Sequence, residues 1–145
     1  MNQASAPGLT ILEAGDPPPP FAILDDDGAV RPDVDPALVP RISDADGLRI
    51  YREMLKVRLV DDRFMKLQRT GRLGFYMQSL GEEATHFGVA YALRQSDWVF
   101  PSYREPGIAF WRGYTLRDYT NQLFGNAEDP VKGRQMPVHH TFRAG

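Results

Sequence analysis

Residues 102–107 hold the densest group of side chains that could bind a ligand. They follow the apolar triplet at 98–100 and include a proline that favours the first turn of a helix. A helix N-terminus presents free N–H groups to an anion, and an arginine beside it adds a planar pair of donors. The segment therefore indicates an anion site built on Tyr103 and Arg104. The alternative is a surface ion pair between Arg104 and Glu105.

The three histidines indicate chemistry less clearly. His139 and His140 are adjacent, and neighbouring side chains of an extended loop point in opposite directions, which makes a poor chelating pair. Since the third histidine, His86, falls in a predicted helix and the chain has no cysteine, the pattern disfavours a zinc site. It favours a loop histidine that bonds the backbone or reaches into a cleft.

Two further charged pairs have a functional and a structural interpretation. Glu82 and Glu83 suit acid-base chemistry, but both fall in the first turn of a predicted helix, where carboxylates stabilise the helix dipole. Lys132 and Arg134 suit anion binding, but solvated loop charges are the simpler interpretation. We keep neither pair as a predicted site.

Helices must position these residues. A capping-box pattern at Ser43 predicts a helix that runs to about Thr70, where Gly71 provides a left-handed stop. Its apolar residues recur at helical spacing: Leu48, Tyr51, Met54 and Leu55. A second box at Ser79 predicts a helix over 80–95. The apolar face of that helix comprises Ala84, Phe87, Gly88 and Tyr91, with the glycine admitting a close neighbour.

Shorter elements complete the prediction. Residues 73–78 are expected as an extended piece or loop, and residues 98–100 as a short buried strand. Two more helices are predicted over 106–113 and 115–125, the latter begun by a third capping box. Residues 126–145 are expected as loop.

The composition changes near residue 50. Residues 1–50 hold 3 basic and 9 acidic residues, 8 of the 12 prolines and only one of the 16 aromatic residues. Such a segment buries too little apolar surface to offset its ordering entropy. We therefore predict an extended proline-rich acidic arm over 1–42 and the start of a folded domain over 43–145. The arm is either a solvated tail or lays its apolar islands, Leu9–Leu12 and Phe21–Leu24, on a partner subunit.

Composition also excludes several classes of protein. A formal net charge of −2 argues against a general nucleic-acid binder, and the absence of cysteine excludes a disulfide scaffold and a cysteine nucleophile. No apolar run approaches the roughly 18 residues that a membrane span requires. Without a secretory or Arg-rich transit pattern at its start, the chain is expected to be cytoplasmic, with neither nucleic acid nor membrane as a partner.

Several short motifs occur in order along the chain: Gly71-Arg72, Phe75-Tyr76-Met77, Gly81 to His86, Tyr103-Arg104-Glu105, Gly125-Asn126 and Lys132 to His139. Together they resemble the α subunit of the thiamine-diphosphate-dependent 2-oxoacid dehydrogenases, and most of all the branched-chain (2-oxoisovalerate) type. The resemblance covers roughly residues 45–145. Several motifs in register are more specific than any one of them alone.

The resemblance implies an α/β thiamine-diphosphate-binding fold, of which this chain holds an incomplete, mostly helical part. It implies oxidative decarboxylation of 2-oxoisovalerate-type acids and acylation of a lipoyl group by an α2β2 enzyme. The cofactors implied are thiamine diphosphate and Mg²⁺, and the partners are a β subunit and a lipoyl-bearing acyltransferase. Tyr103 and Arg104 match the family's diphosphate-binding pair. Phe75 matches a wall of the substrate cavity, and His139 matches a loop histidine near the cofactor.

One departure from the family matters. The family holds magnesium through a Gly-Asp-Gly motif and a later Asn, and this sequence contains no Gly-Asp-Gly. We therefore predict no metal ligand and no catalytic residue within residues 1–145, which are expected to be the N-terminal part of a catalytic α subunit. The alternative is a non-catalytic helical fragment that only binds a partner subunit.

Overall fold

The computed structural model describes residues 21–139, and the regular secondary structure within that range is helical. The helices are α1 (Asp44–Arg69), α2 (Glu83–Ala92), α3 (Pro106–Trp111) and α4 (Leu116–Phe124). A 3-10 turn, Pro36–Leu38, precedes them. The mostly helical prediction for this part of the chain is confirmed, whereas the α/β class belongs to the whole fold that the resemblance implies.

The chain divides into two compact units between Arg41 and Ile42. In the first unit, the Asp25 carboxylate accepts the backbone N–H groups of Asp27 and Ala29 at 3.0 and 2.8 Å and closes a tight turn. No residue in the range 21–41 is buried, so this described part of the predicted arm has no core of its own. The island Leu9–Leu12 lies outside the described residues.

Helix α1 begins and ends where its caps predict. The Ser43 hydroxyl accepts the Asp46 N–H at 3.1 Å, and Gly71 follows the helix with a φ of 71°. The buried face, however, matches the predicted stripe only at Met54, which packs against the core: Leu48, Tyr51 and Leu55 are about half exposed or more. The core-facing residues lie further along the helix: Val57, Val60, Asp61 and Phe64. Periodicity identifies an apolar stripe without showing which face the neighbouring helices cover.

Helix α2 is shorter than predicted and is rotated relative to the expected face. It covers Glu83–Ala92 and buries Glu83, His86, Phe87 and Ala90. Gly88 faces solvent with nothing near its missing side chain. The close approach occurs at Gly107 of α3 instead, where an added Cβ would lie 2.8 Å from the His86 Cβ. The predicted role of Gly88 is therefore wrong.

Two other sequence predictions fail for tertiary reasons. The Ser79 hydroxyl does not cap α2: the helix begins only at Glu83, with Glu82 at the N-cap position, and Ser79 bonds the buried Asp61 carboxylate through its N–H and its hydroxyl. Residues 98–100 form only an isolated β-bridge at Val99 rather than a strand: Val99 is buried as predicted, while Trp98 and Phe100 stack on each other with their rings largely exposed. Alternation of side chains along extended backbone places one residue inside and its neighbours outside.

Helices α3 and α4 lie where the sequence predicts them. Pro106 stands in the first turn of α3, and the Thr115 hydroxyl caps α4 by accepting the Asp118 N–H at 3.0 Å. Gly125 ends α4 in the left-handed conformation with a φ of 57°. The loop prediction for 126–145 holds for its described part, 126–139.

Two apolar clusters join these elements. The larger one, the core cluster, takes buried residues from all four helices and from two loops: Val57, Val60, Phe64, Leu73, Tyr76, Phe87, Phe110, Tyr119, Leu123 and Val138. The smaller one consists of Ala90, Val99 and Ile108. The core includes Leu73 and Tyr76 from the loop after α1 and Val138 from the loop after α4. Both loops are therefore held against the helices. Among residues 21–139, no helix is long and apolar enough to cross a bilayer.

Candidate ligand-binding site

A cavity of about 330 Å³ opens where three loop segments meet. Its lining residues are Phe75, Met77, Tyr103, Met136 and His139. The Tyr103 and His139 rings lie 5.8 Å apart between their centroids. The structure thus brings together three of the four side chains predicted as site residues, although they are separated by up to 64 positions in the sequence. Two methionines, which the sequence did not single out, complete the wall.

Arg104, the fourth predicted residue, lies at the edge of this cavity. Its guanidinium carbon is 5.4 Å from the centroid of the Tyr103 ring. The predicted alternative, an ion pair with Glu105, does not form: Glu105 accepts the Arg104 backbone N–H, at 3.0 Å. The guanidinium instead faces Glu82, with Nη1 3.7 Å from Oε1, and its buried Nε has no hydrogen-bond partner.

Glu82 connects Arg104 to a buried histidine. Its other oxygen, Oε2, lies 3.7 Å from Nε2 of His86, whose ring is almost completely buried. Burial lowers the pKa of His86, which keeps the ring neutral near pH 7, although Glu82 and Glu105 oppose the shift. Neither ring nitrogen of His86 has a hydrogen-bond partner. The neighbourhood of Arg104 therefore contains buried polar atoms with capacity left to bind.

The segment that carries Phe75 and Met77 is fixed by a buried carboxylate. Asp61 of α1 is fully buried and accepts the Tyr76 hydroxyl, the Ser79 N–H at 2.8 Å and the Ser79 hydroxyl at 3.0 Å. Burial raises the pKa of Asp61, and the three donors act against that shift. The carboxylate ties this loop to a rigid helix.

The segment that carries Met136 and His139 is fixed by a buried amide. Gln122 of α4 donates from Nε2 to the carbonyls of Met136 and His139, at 3.0 and 3.2 Å. The Nδ1 of His139 donates to the Pro137 carbonyl at 3.0 Å, because a carbonyl can only accept. In the neutral ring, this bond requires the proton on Nδ1 and leaves Nε2 able to accept. The predicted backbone-bonding role of the loop histidine is confirmed, and His140 lies outside the described residues.

The carboxylate pair at the start of α2 serves structure. Glu83 is buried and accepts from Nε of Arg58 at 2.5 Å and from the Gly81 N–H at 3.0 Å. Arg58 lowers the pKa of Glu83. Glu83 thus connects α1 to α2, which is more than the dipole role that its position predicts. Lys132 and Arg134 are exposed, as expected for solvated charges.

A larger concavity, of about 470 Å³, lies on α1 and α4. Its floor includes Leu55, Leu59 and Val60, with Arg52 and Arg63 also in its lining. It contains none of the predicted site residues. The smaller cavity is therefore the candidate site, because three of the predicted site residues converge there.

The sequence is similar to a known enzyme family. The profile described as "Dehydrogenase E1 component" matches residues 51–144. The chain is 45% identical over 122 residues to "2-oxoisovalerate dehydrogenase subunit alpha 1, mitochondrial" of Arabidopsis thaliana, covering 84% of this chain and 25% of that protein. It is 47% identical over 122 residues to "2-oxoisovalerate dehydrogenase subunit alpha" of Pseudomonas aeruginosa, covering 83% and 28%.

A relative from Dictyostelium discoideum bears the same name, "2-oxoisovalerate dehydrogenase subunit alpha, mitochondrial". It is 44% identical over 126 residues, covering 86% of this chain and 28% of that protein. The chain thus spans only about a quarter of the length of these curated relatives. Because the family profile matches well over half of its residues, the chain belongs to the dehydrogenase E1 component family.

Proposed function

We propose that the chain is part of the decarboxylating component of a branched-chain 2-oxoacid dehydrogenase complex. The complex would oxidatively decarboxylate 2-oxoisovalerate-type acids and acylate a lipoyl group. One observation carries the proposal: Phe75, Tyr103 and His139 come from three separate segments and line one cavity beside Arg104. The names of the relatives support the substrate class.

The lining of the cavity suits a short branched aliphatic side chain. Phe75, Met77 and Met136 supply apolar walls, and a methionine adapts its shape to an irregular ligand. Tyr103 and His139 supply the polar groups: a phenolic hydroxyl and a ring nitrogen, Nε2, that can accept a hydrogen bond. In this proposal the apolar walls hold the substrate side chain and the Tyr103 hydroxyl is a donor for the diphosphate. Nε2 of His139 accepts from an N–H or O–H group, because the oxygens of an ionised 2-oxo acid have no proton to donate.

The residues at the cavity edge fit the diphosphate of thiamine diphosphate. Arg104 has a buried Nε without a partner, and its exposed contact with Glu82 is long enough, at 3.7 Å, to leave its other donors available. Arg104 and Tyr103 would hold the diphosphate by charge-assisted hydrogen bonds. When bound, thiamine diphosphate supplies the electron sink that loss of carbon dioxide from a 2-oxo acid requires.

The described residues do not fit Mg²⁺. No group of three or more His, Asp or Glu side chains in the range 21–139 is placed to hold a metal ion. The missing Gly-Asp-Gly motif agrees with this finding. We therefore assign no step and no ligand of this chain to the metal.

The partners belong to the same proposal. A β subunit would complete an α2β2 enzyme, and a lipoyl-bearing acyltransferase component would accept the acyl group. The proline-rich arm, residues 1–42, would dock on a partner subunit through its two apolar islands, Leu9–Leu12 and Phe21–Leu24. In the second island the Phe21 side chain is 71% exposed. Amide exchange in the assembled enzyme tests that contact, because a solvated tail would exchange rapidly throughout. The cytoplasmic location stays a prediction.

The test is decarboxylation by the assembled enzyme. An α subunit containing this sequence is combined with its β subunit and thiamine diphosphate, and carbon dioxide release is measured with 2-oxoisovalerate. We expect turnover in the wild type and a large loss for Tyr103→Phe and Arg104→Ala. An Arg117→Ala variant, which changes an exposed arginine paired with Glu128, is the control and should remain active. Failure of the wild type to release carbon dioxide would contradict the proposed function.

A further inference from the structure

The buried carboxylate of Asp61 lies on the opposite side of the Phe75–Met77 segment from the cavity. In extended backbone, neighbouring side chains point to opposite sides. Tyr76 points into the core, where it is 4% exposed and bonds Asp61, while Phe75 and Met77 line the cavity. Tyr76, which lies between the two wall residues Phe75 and Met77, thus sets the position of this cavity wall.

Asp61 holds this segment from a rigid helix. Asp61 belongs to the 26-residue helix α1, and its two carboxylate oxygens receive three hydrogen bonds from Tyr76 and Ser79. The Tyr76 ring also packs on Phe64 of the same helix, with 5.5 Å between ring centroids. Bonds at both positions, 76 and 79, fix the direction of the segment as well as its distance from the helix.

We propose that Asp61 is a positioning residue for the cavity. Through Tyr76 and Ser79 it holds Phe75 and Met77 in the register that shapes the apolar wall, and so determines which side chains of a 2-oxo acid the site prefers. This inference rests on the proposed function for its substrate class. Asp61 touches neither the cavity nor a ligand, and it acts only through the segment that it anchors.

Substrate preference separates positioning from simple stabilisation. A variant that only lowers the fraction of folded enzyme reduces kcat/KM for all substrates by the same factor. A variant that moves the wall changes the ratio of kcat/KM between a branched and a short substrate. A single methylene contact in an apolar pocket discriminates by about 10- to 200-fold, so loosening one wall gives a measurable change in the ratio.

The first experiment compares 2-oxoisovalerate with pyruvate in the assembled enzyme. For Asp61→Asn we expect the ratio of the two kcat/KM values to fall by about fivefold or more. Tyr76→Phe removes one of the three hydrogen bonds and keeps the ring, so it should shift the ratio in the same direction. The matched control is Asp62→Asn, which changes an exposed carboxylate paired with Lys66 and should leave the ratio unchanged. Unchanged ratios in both active test variants would overturn the proposal.

The second experiment needs no enzyme activity. The methyl groups of Met77 and Met136 line the cavity, whereas Met54 and Met65 pack against the core cluster, so the methionines are natural reporters. In the assembled enzyme labelled at its methionine methyl groups, Asp61→Asn or Tyr76→Phe should shift the Met77 resonance, and Asp62→Asn should leave it in place. If Met77 does not respond in either folded test variant, Asp61 does not position the wall. An inactive wild-type enzyme with a responsive Met77 would contradict only the proposed function.

Discussion

The side chain of Gln122 holds Val138 in a backbone conformation that valine rarely adopts. Its Oε1 accepts the Val138 N–H at 3.2 Å, while Val138 has a φ of 64°. A branched residue in the left-handed region costs about 1–3 kcal/mol and persists only where its surroundings enforce it. Here the enforcement comes from one buried amide and the packing of the valine side chain, which is 4% exposed. The strained residue stands directly before His139 of the cavity.

We expect Gln122→Met to destabilise the protein and to loosen this loop. The substitution keeps the length of the side chain but leaves the buried Val138 N–H without its partner and removes the bonds to the Met136 and His139 carbonyls. The Met136 carbonyl still accepts the His139 N–H. A buried N–H left unpaired costs about 1–3 kcal/mol, so the free energy of unfolding should fall by at least about 1 kcal/mol in urea titration. Gln95→Met, at an exposed position, is the control and should change it by less than about 0.5 kcal/mol. Equal effects of the two substitutions would show that the Gln122 bonds contribute nothing.

Two glycine substitutions should act in opposite directions. Gly107→Ala places a Cβ 2.8 Å from the His86 Cβ and 3.1 Å from the Phe87 ring, and backbone-linked atoms there cannot yield easily. We expect it to lower the free energy of unfolding by about 1–3 kcal/mol. Gly88→Ala adds a methyl group on the exposed face of α2 and should raise it by about 0.5–1 kcal/mol. Thermal and urea unfolding of both variants measure the signs, and a stabilising Gly107→Ala would contradict the described packing of α2 on α3.

Helix ends were predictable where their cause is local. Ser43 and Thr115 cap their helices through N–H groups three residues ahead, and Gly125 ends α4, so a short window of sequence contains the whole interaction. Ser79 has the same local pattern, but it bonds Asp61, which lies 18 positions earlier. This residue is held by a tertiary hydrogen bond, and the predicted helix cap does not form. No spacing rule marks that contact.

For the cavity as well, some residues could be predicted from the sequence and others could not. Phe75, Tyr103 and His139 were predicted because each belongs to a short motif that resembles a family. Asp61 and Gln122, which hold the two loops, belong to no such motif. Each looks like an ordinary polar residue on a helix, and only the structure shows that it is buried and bonded to groups far along the chain: two hydroxyls and an N–H for Asp61, and backbone groups for Gln122.

Arg104 should matter more for cofactor affinity than for stability. Its ion pair with Glu82 is long and partly exposed, and such a pair contributes only about 0–1 kcal/mol to folding. A charge-assisted hydrogen bond to a phosphate contributes about 1.5–3 kcal/mol, or roughly 10- to 150-fold in affinity. We therefore expect Arg104→Ala to weaken thiamine diphosphate binding to the assembled enzyme by that factor. Calorimetric titration measures it, and unchanged affinity in the folded variant would exclude Arg104 as a ligand.

His86 should make stability depend on pH. Burial lowers its pKa in the folded protein below the ordinary value of 6.5. As the pH falls through 6.5, the unfolded chain binds a proton that the folded protein does not, so the free energy of unfolding decreases. The loss stops growing once the pH lies below the folded pKa. Above about pH 7.5 both states are neutral at this position, and His86 contributes no pH dependence.

The variant His86→Gln isolates this effect, because glutamine does not titrate. Urea titrations of both proteins between about pH 5 and pH 7.5 give the difference in their free energies of unfolding at each pH. That difference, wild type minus variant, should be constant near pH 7.5 and should decrease as the pH falls below 6.5. Subtracting the variant removes the contributions of carboxylates that do not interact with His86, such as Asp61, since both proteins share them. A difference that stays constant over the whole range would show that the His86 pKa is the same in the folded protein and the unfolded chain, because water reaches the imidazole or because Glu82 and Glu105 offset its burial.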